Sequence, residues 1–229
     1  TDAGPAEAWV YIDHRVDPGP PRPGYLQRII DGALHHGLPH RWIEFLRCWD
    51  PSKWPVPKDN SRAVAPQSLS DLLGDPAVLE DSTLRSRFGF MAIHGGGVEQ
   101  MTDVVAERGA HAAGASVYLL RHPENYPHHL PSALYRQEES ERLAEFLDHV
   151  DVAISVHGYG RLGRSAQVLA GGRNRELAAH VAGHFDVPGY HVVTDLDAIP
   201  RELRGLHPDN PVNCVRGGGA QLELSPRLR

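Results

Sequence analysis

Cysteine and methionine are scarce, two of each in 229 residues. Cys48 and Cys214 lie far apart with no second thiol near either, which excludes a disulfide framework and a cysteine-built zinc knuckle. Isolated thiols read as free and reduced, so a cytoplasmic location is the expectation. The sequence starts at Thr1 rather than Met, so removal of a leader or an upstream segment, and with it secretion, stays open. No apolar stretch approaches the roughly 20 residues that span a bilayer, and no charged-then-apolar leader opens the chain. A membrane is therefore not an expected partner. Runs of Lys and Arg are also missing, and the formal charge is −6, so there is no one-sided basic surface for nucleic acid. Internal repeats and low-complexity segments are absent. No strand is followed by a glycine, any residue, nucleophile, any residue, glycine elbow, which removes a serine or cysteine hydrolase of that kind.

The length suits a core of about 140 residues with a smaller appendage. The appendage is expected over residues 1–67. It holds a short strand at Ala8 to Ile12, a Pro/Gly-rich break, and a helix in which Leu26, Ile29, Ile30, Ala33 and Leu34 recur at helical spacing before Gly37. A second helix near Arg41 to Cys48 carries an aromatic face of Trp42, Phe45 and Trp49. Pro51, Pro55, Pro57 and Pro66 then break regular structure and mark a linker.

Residues 68–229 form the second unit. Short apolar runs at Phe88 to Ile93, Ala115 to Leu120, Val150 to Val156, Gln167 to Leu169 and His191 to Thr194 are suited to buried strands. Helical patterns over Thr102 to Ala113, Gln137 to Val150 and Arg173 to Phe185 alternate with them. That alternation predicts an α/β fold with a mostly parallel or mixed sheet and helices on both faces.

Fifteen histidines are present, and position rather than number decides which matter. The strand ending at Ile93 runs straight into His94-Gly95-Gly96-Gly97-Val98-Glu99, and ligands of open α/β sheets bind at the carboxyl ends of strands. Three glycines allow a tight turn that brings the carboxylate of Glu99 back toward the imidazole. A second strand, Val152 to Val156, ends in His157-Gly158-Tyr159-Gly160. Were the two strands parallel neighbours, His94 and His157 would stand side by side. With Glu99 they make an open set of two imidazoles and one carboxylate, the kind that catalytic zinc uses. Near the end, Ala220 to Ser225 alternates with period two, so Gln221, Glu223 and Ser225 face away from Leu222 and Leu224. A carboxylate on such a strand is costly unless it meets a cation or a proton. Beside a metal, Glu223 can take a proton from water and pass it to a leaving amine.

The segments AIHGGGVE, ISVHG, LAGGRNREL and NCVRGGGAQLELSPRLR, in that order, resemble the poly-γ-glutamate hydrolase family, which is similar to zinc carboxypeptidases. The resemblance covers Arg87 to Arg229. It implies one Zn2+ held by His94, Glu99 and His157, Glu223 as the catalytic carboxylate, and hydrolysis of γ-linked glutamyl amide bonds. The chain differs from the family at Gln100 to Asp103, where members carry a small residue and a glutamate, and members usually continue past the LELS strand. The N-terminal EAWVYID and PGYLQRIIDGALHHGLPHRWIEFL resemble the carboxyl-terminal part of γ-glutamylcyclotransferase-like proteins, without the catalytic half of that fold. A γ-glutamyl substrate carries free carboxylates, for which guanidinium groups are the fitting partners. Arg161 and Arg216 lead as substrate-binding residues because they flank the ligand and base motifs. Arg164, Arg175, Asn213 and Tyr159 follow. The expected partner is a γ-glutamyl polymer or a small acidic acyl-amino acid or peptide. The alternatives are a zinc-binding accessory module without turnover, and a zinc hydrolase of another acyl-amino acid or peptide terminus.

Overall fold

The structure is a computed structural model that describes residues 65–161 and 164–229. The elements expected before residue 65, and the γ-glutamylcyclotransferase-like resemblance, lie outside the described residues.

Seven strands form one mixed sheet: β1 (Leu79–Thr83), β2 (Phe88–Gly96), β3 (Ser116–His122), β4 (Val152–Gly158), β5 (Gln167–Gly171), β6 (His191–Val193) and β7 (Gly219–Leu224). Their spatial order is β1-β3-β2-β4-β7-β5-β6. The central run β3-β2-β4-β7 is parallel. β1 on β3 and β5 on β7 are antiparallel, so the sheet is mixed.

Helices cover both faces. On one, Met91, Ile93, Tyr118, Leu120 and Ala153 pack against α1 (Leu69–Leu73), α3 (Glu141–His149) and α5 (Pro211–Cys214) through Leu69, Leu72, Leu143, Phe146 and Val212. On the other, Phe88, Phe90, Ala92, Leu119 and Val156 meet α2 (Thr102–Ala113) and α4 (Arg175–His184) through Ala106, Leu177 and Val181. Leu143 and Phe146 are fully buried, and each contributes about 1.5–3 kcal/mol by leaving water. Losing either would open a cavity under β3.

The helix ends follow local chemistry. The apolar stripe from Gln137 to Val150 predicts a single helix, but it divides into a 3-10 turn at Gln137–Glu139 and α3. Ser140 makes the division: it takes an extended conformation and its hydroxyl accepts from the Leu143 amide, capping α3. Asn174 caps α4 in the same way, accepting from Leu177. Among the described residues no helix is long and apolar enough to cross a membrane.

Candidate metal centre

β2 and β4 pair in parallel, so their carboxyl ends share one rim of the sheet. Between Ala92 and Gly95 the β2–β3 register shifts, a bulge that turns His94 out of the regular ladder. The chain then folds back: Gly97 donates to His122 O (3.0 Å) and Glu99 donates to His94 O (2.7 Å). Gly96 adopts φ +67, and a Cβ there would strike the His122 backbone, so only glycine fits. Two residues at the start of α2 pin the loop. Asp103 accepts from Gly96 N (3.2 Å) and from Arg121 Nε (3.1 Å), and Thr102 Oγ1 donates to Glu99 O (2.7 Å). The segment Gln100 to Asp103 thus supports the Glu99 turn.

Three side chains converge. The ligand atoms of His94, Glu99 and His157 all lie within 4.8 Å of one another, and all three residues are buried. His94 Nδ1 is 3.1 Å from Glu99 Oε1 and 3.2 Å from His157 Nδ1. Two donors about 2.0–2.1 Å from a tetrahedral ion stand about 3.4 Å apart, so this spacing suits zinc. His94 Nε2 lies 2.9 Å from Leu130 O. Donation to that carbonyl fixes the tautomer and leaves the Nδ1 lone pair facing inward, as in metal-ligating histidines. Glu99 Oε2 accepts from Gly158 N at 2.8 Å, which aims the carboxylate across the gap between the strands.

The electrostatics favour a cation at this point. Burial lowers the His94 pKa to about 4 against the pull of Glu99, so the ring is neutral at pH 7. Burial pushes Glu99 upward, but the imidazoles of His94 and His157 and hydrogen bonds from His129 and His157 hold it well below the usual carboxylate range. Burial also lowers His157, yet Glu99 and Glu223 outweigh it and raise its pKa. Glu99 and Glu223 thus draw positive charge to the histidine cluster, and the buried group His94, Glu99 and His157 could hold a metal ion.

β7 supplies the fourth group. It pairs with β4 in parallel with His157 opposite Glu223, and Glu223 is buried. Burial raises its pKa to about 7, with His157 and Arg229 opposing and Glu99 reinforcing the rise. A carboxyl group poised near neutrality can both accept and deliver a proton.

The two leading arginines are not at the cluster in the same sense. Arg161 follows β4 on the correct rim but pairs with Glu202 at 2.5 Å, with its side chain about half exposed. Arg216 is on the wrong end. It precedes β7, 76% exposed, and pairs with Asp151 (3.2 Å), which precedes β4. Parallel strands rise about 3.3 Å per residue, which puts Arg216 on the order of 20 Å from Glu223. Nearness in sequence misled, and Arg216 leaves the candidate set. Arg164 and Arg175 hydrogen-bond backbone carbonyls. Asn213 and the Tyr159 hydroxyl are likewise engaged with backbone groups.

Three groups near the cluster escaped sequence reasoning. Arg229 lays its guanidinium against Gly158, where no Cβ stands, and Nη1 donates to Gln100 O at 3.1 Å. His129 lies tilted against His94 with ring centroids 4.2 Å apart, and its Nε2 is 3.5 Å from Glu99 Oε1. Tyr135 meets the His94 ring edge-on at 5.5 Å. For His129 and Tyr135 the available signal was that Pro123 to Tyr135 follows the carboxyl end of β3, where loops reach ligands.

The mixed seven-stranded sheet, with this cluster at the carboxyl ends of its parallel strands, agrees with the zinc carboxypeptidase-like fold that the sequence resemblance implies. Residues 67–229 match the model of the family described as poly-gamma-glutamate hydrolase, and the chain belongs to that family. The solved structure of a bacteriophage poly-gamma-glutamate hydrolase is similar, with a TM-score of 0.57 and 25% identity over 65% of this chain and 70% of that one. The zinc-free apo form of YNDL has the same fold, with a TM-score of 0.60 and 24% identity over 70% of this chain and 79% of that one. A search of curated proteins returned no match.

Proposed function

We propose that the chain hydrolyses γ-linked glutamyl amide bonds, with zinc held by His94, Glu99 and His157 and Glu223 as the proton-transferring carboxylate. The observation that carries this reading is the convergence of three buried donors within 4.8 Å, with Glu223 paired in register against His157. When bound there, zinc supplies Lewis-acid polarisation of the scissile carbonyl and makes water acidic enough to attack near pH 7.

The protein groups then have separate tasks. Glu223 takes the proton of the attacking water on its carboxylate and gives it to the leaving amine, a role suited to a pKa near 7. Leu130 O and Gly158 N hold the His94 ring and the Glu99 carboxylate in place. Arg229, beside Gly158, is the best-placed guanidinium for a substrate carboxylate, with Arg161 further out on the same rim. Residues 1–67 are proposed as a separate module that supplies no ligand.

The test compares a γ-linked with an α-linked glutamyl oligomer, using protein of measured zinc content. Cleavage of the γ-linked oligomer is expected, lost on chelation and regained with zinc. Zinc-loaded protein that leaves the γ-linked oligomer intact would overturn the proposal.

A further inference from the structure

Gln221 and Glu223 are two residues apart on β7 and so share a face of the sheet. Both are buried, and Gln221 Nε2 donates to Glu223 Oε1 at 2.8 Å. On its other side Gln221 Oε1 accepts from Asn210 Nδ2, also at 2.8 Å and also buried. The two contacts fix the glutamine in one sense. An amide whose oxygen is committed to one donor can present only its NH2 to the next group. Gly205, at φ +63, closes over the Gln221 side chain, where a Cβ would collide with the amide.

The arrangement has a cost. With its NH2 turned to Gln221, Asn210 keeps its own Oδ1 buried with no hydrogen-bond partner. Leaving an acceptor unsatisfied is unfavourable. Turning both amides over would aim Gln221 Oε1 at Glu223, oxygen against oxygen in the ionised form that accepts the proton. The unsatisfied oxygen on Asn210 is thus the counterpart of a donor delivered to Glu223.

We propose that Asn210 and Gln221 are positioning residues for the reaction: they hold Glu223 by Oε1 and leave Oε2 to exchange the proton. This rests on Glu223 being the proton-transferring group. Neither residue needs to touch substrate, so the relay acts on turnover rather than on binding.

The experiment uses Gln221→Met, which keeps the length of the side chain and removes the donor, and Asn210→Asp, which replaces the donor to Gln221 by an acceptor. Each is made in the wild-type chain and in a Glu223→Gln chain, and assayed on a γ-glutamyl oligomer at matched zinc content. In the wild-type chain Gln221→Met is expected to lower kcat about 10- to 100-fold, the range for losing a hydrogen bond to a charged group, with KM and zinc stoichiometry unchanged. In the Glu223→Gln chain the same substitution leaves the residual turnover where it was, because the group it positions is gone. Should Gln221→Met fail to fold, Asn210→Asp carries the same comparison. Wild-type kcat in the folded single variant overturns the relay. So does an equal fold-loss in both backgrounds, which marks a merely structural glutamine. Full activity of Glu223→Gln by itself would instead overturn the underlying reading of Glu223, and the relay with it.

Discussion

The two ends of β4 and β7 are made by the same pair of strands and hold opposite chemistry. At the amino end Asp151 pairs with Arg87 and Arg216 in the open, and the arginine side chains are 51% and 76% exposed. At the carboxyl end His157 and Glu223 stand side by side out of water with Glu99 close by. Solvent screens the first set, so it contributes little and tolerates change. The second set is desolvated, so every charge in it must be met by another charge, a proton or a metal.

The sharpest way to break the contrast is at the ligands. His94→Ala or His157→Ala is expected to abolish binding of about one zinc ion per chain, since three protein donors are the minimum for such a site. Elemental analysis after gel filtration reads this directly, and full occupancy in both variants would refute the ligand set. Next comes Glu223→Gln, expected to keep zinc while losing about 10²- to 10⁴-fold in kcat. Measurement at matched zinc separates loss of the base from loss of the metal.

A third effect belongs to stability. In metal-free protein the Glu223 pKa is raised to about 7 by burial, His157 and Arg229 notwithstanding. Its ordinary value is 4.5, so the folded state holds a proton that the unfolded state has lost, and Glu223 makes stability fall as pH rises between those values. Glu223→Gln removes that fall. Thermal melts of apo protein should show the variant gaining on the parent from pH 5 to pH 7, and a constant difference would refute the shift. The smallest effect is expected at the other end of the strands. Arg216→Ala should leave kcat, KM and zinc content as they were. A drop in substrate affinity would mean that the amino end takes part after all.

The convergence of His94 and His157 was legible because each histidine closes an apolar strand and is followed by glycine. Glu223 was legible through period-two alternation. The α/β class followed from alternating strand and helix patterns. Less was readable where a contact crosses the sheet. Nothing local to Arg229 announces that its guanidinium lies against Gly158, and nothing in the pair His128-His129 says which ring reaches Glu99. Arg216 shows the converse error. It sits close to Glu223 along the chain, but a parallel strand carries the residue before it to the opposite rim. β1 and α1 were also missed, because Leu79 to Thr83 is a mostly polar edge strand with little apolar pattern to detect.

The place of β7 in the sheet has a consequence for how the protein comes into being. It is seventh in sequence yet lies between β4 and β5, so β4 and β5 must each wait for it with one open backbone edge while the chain is made. Such long-range pairing is slow, and an unpaired central edge is a template for aggregation. Glu223 arrives only with that closing strand. Competence to turn over substrate should therefore be among the last properties gained on refolding, behind the helical signal in circular dichroism, with the lag set by docking of β7.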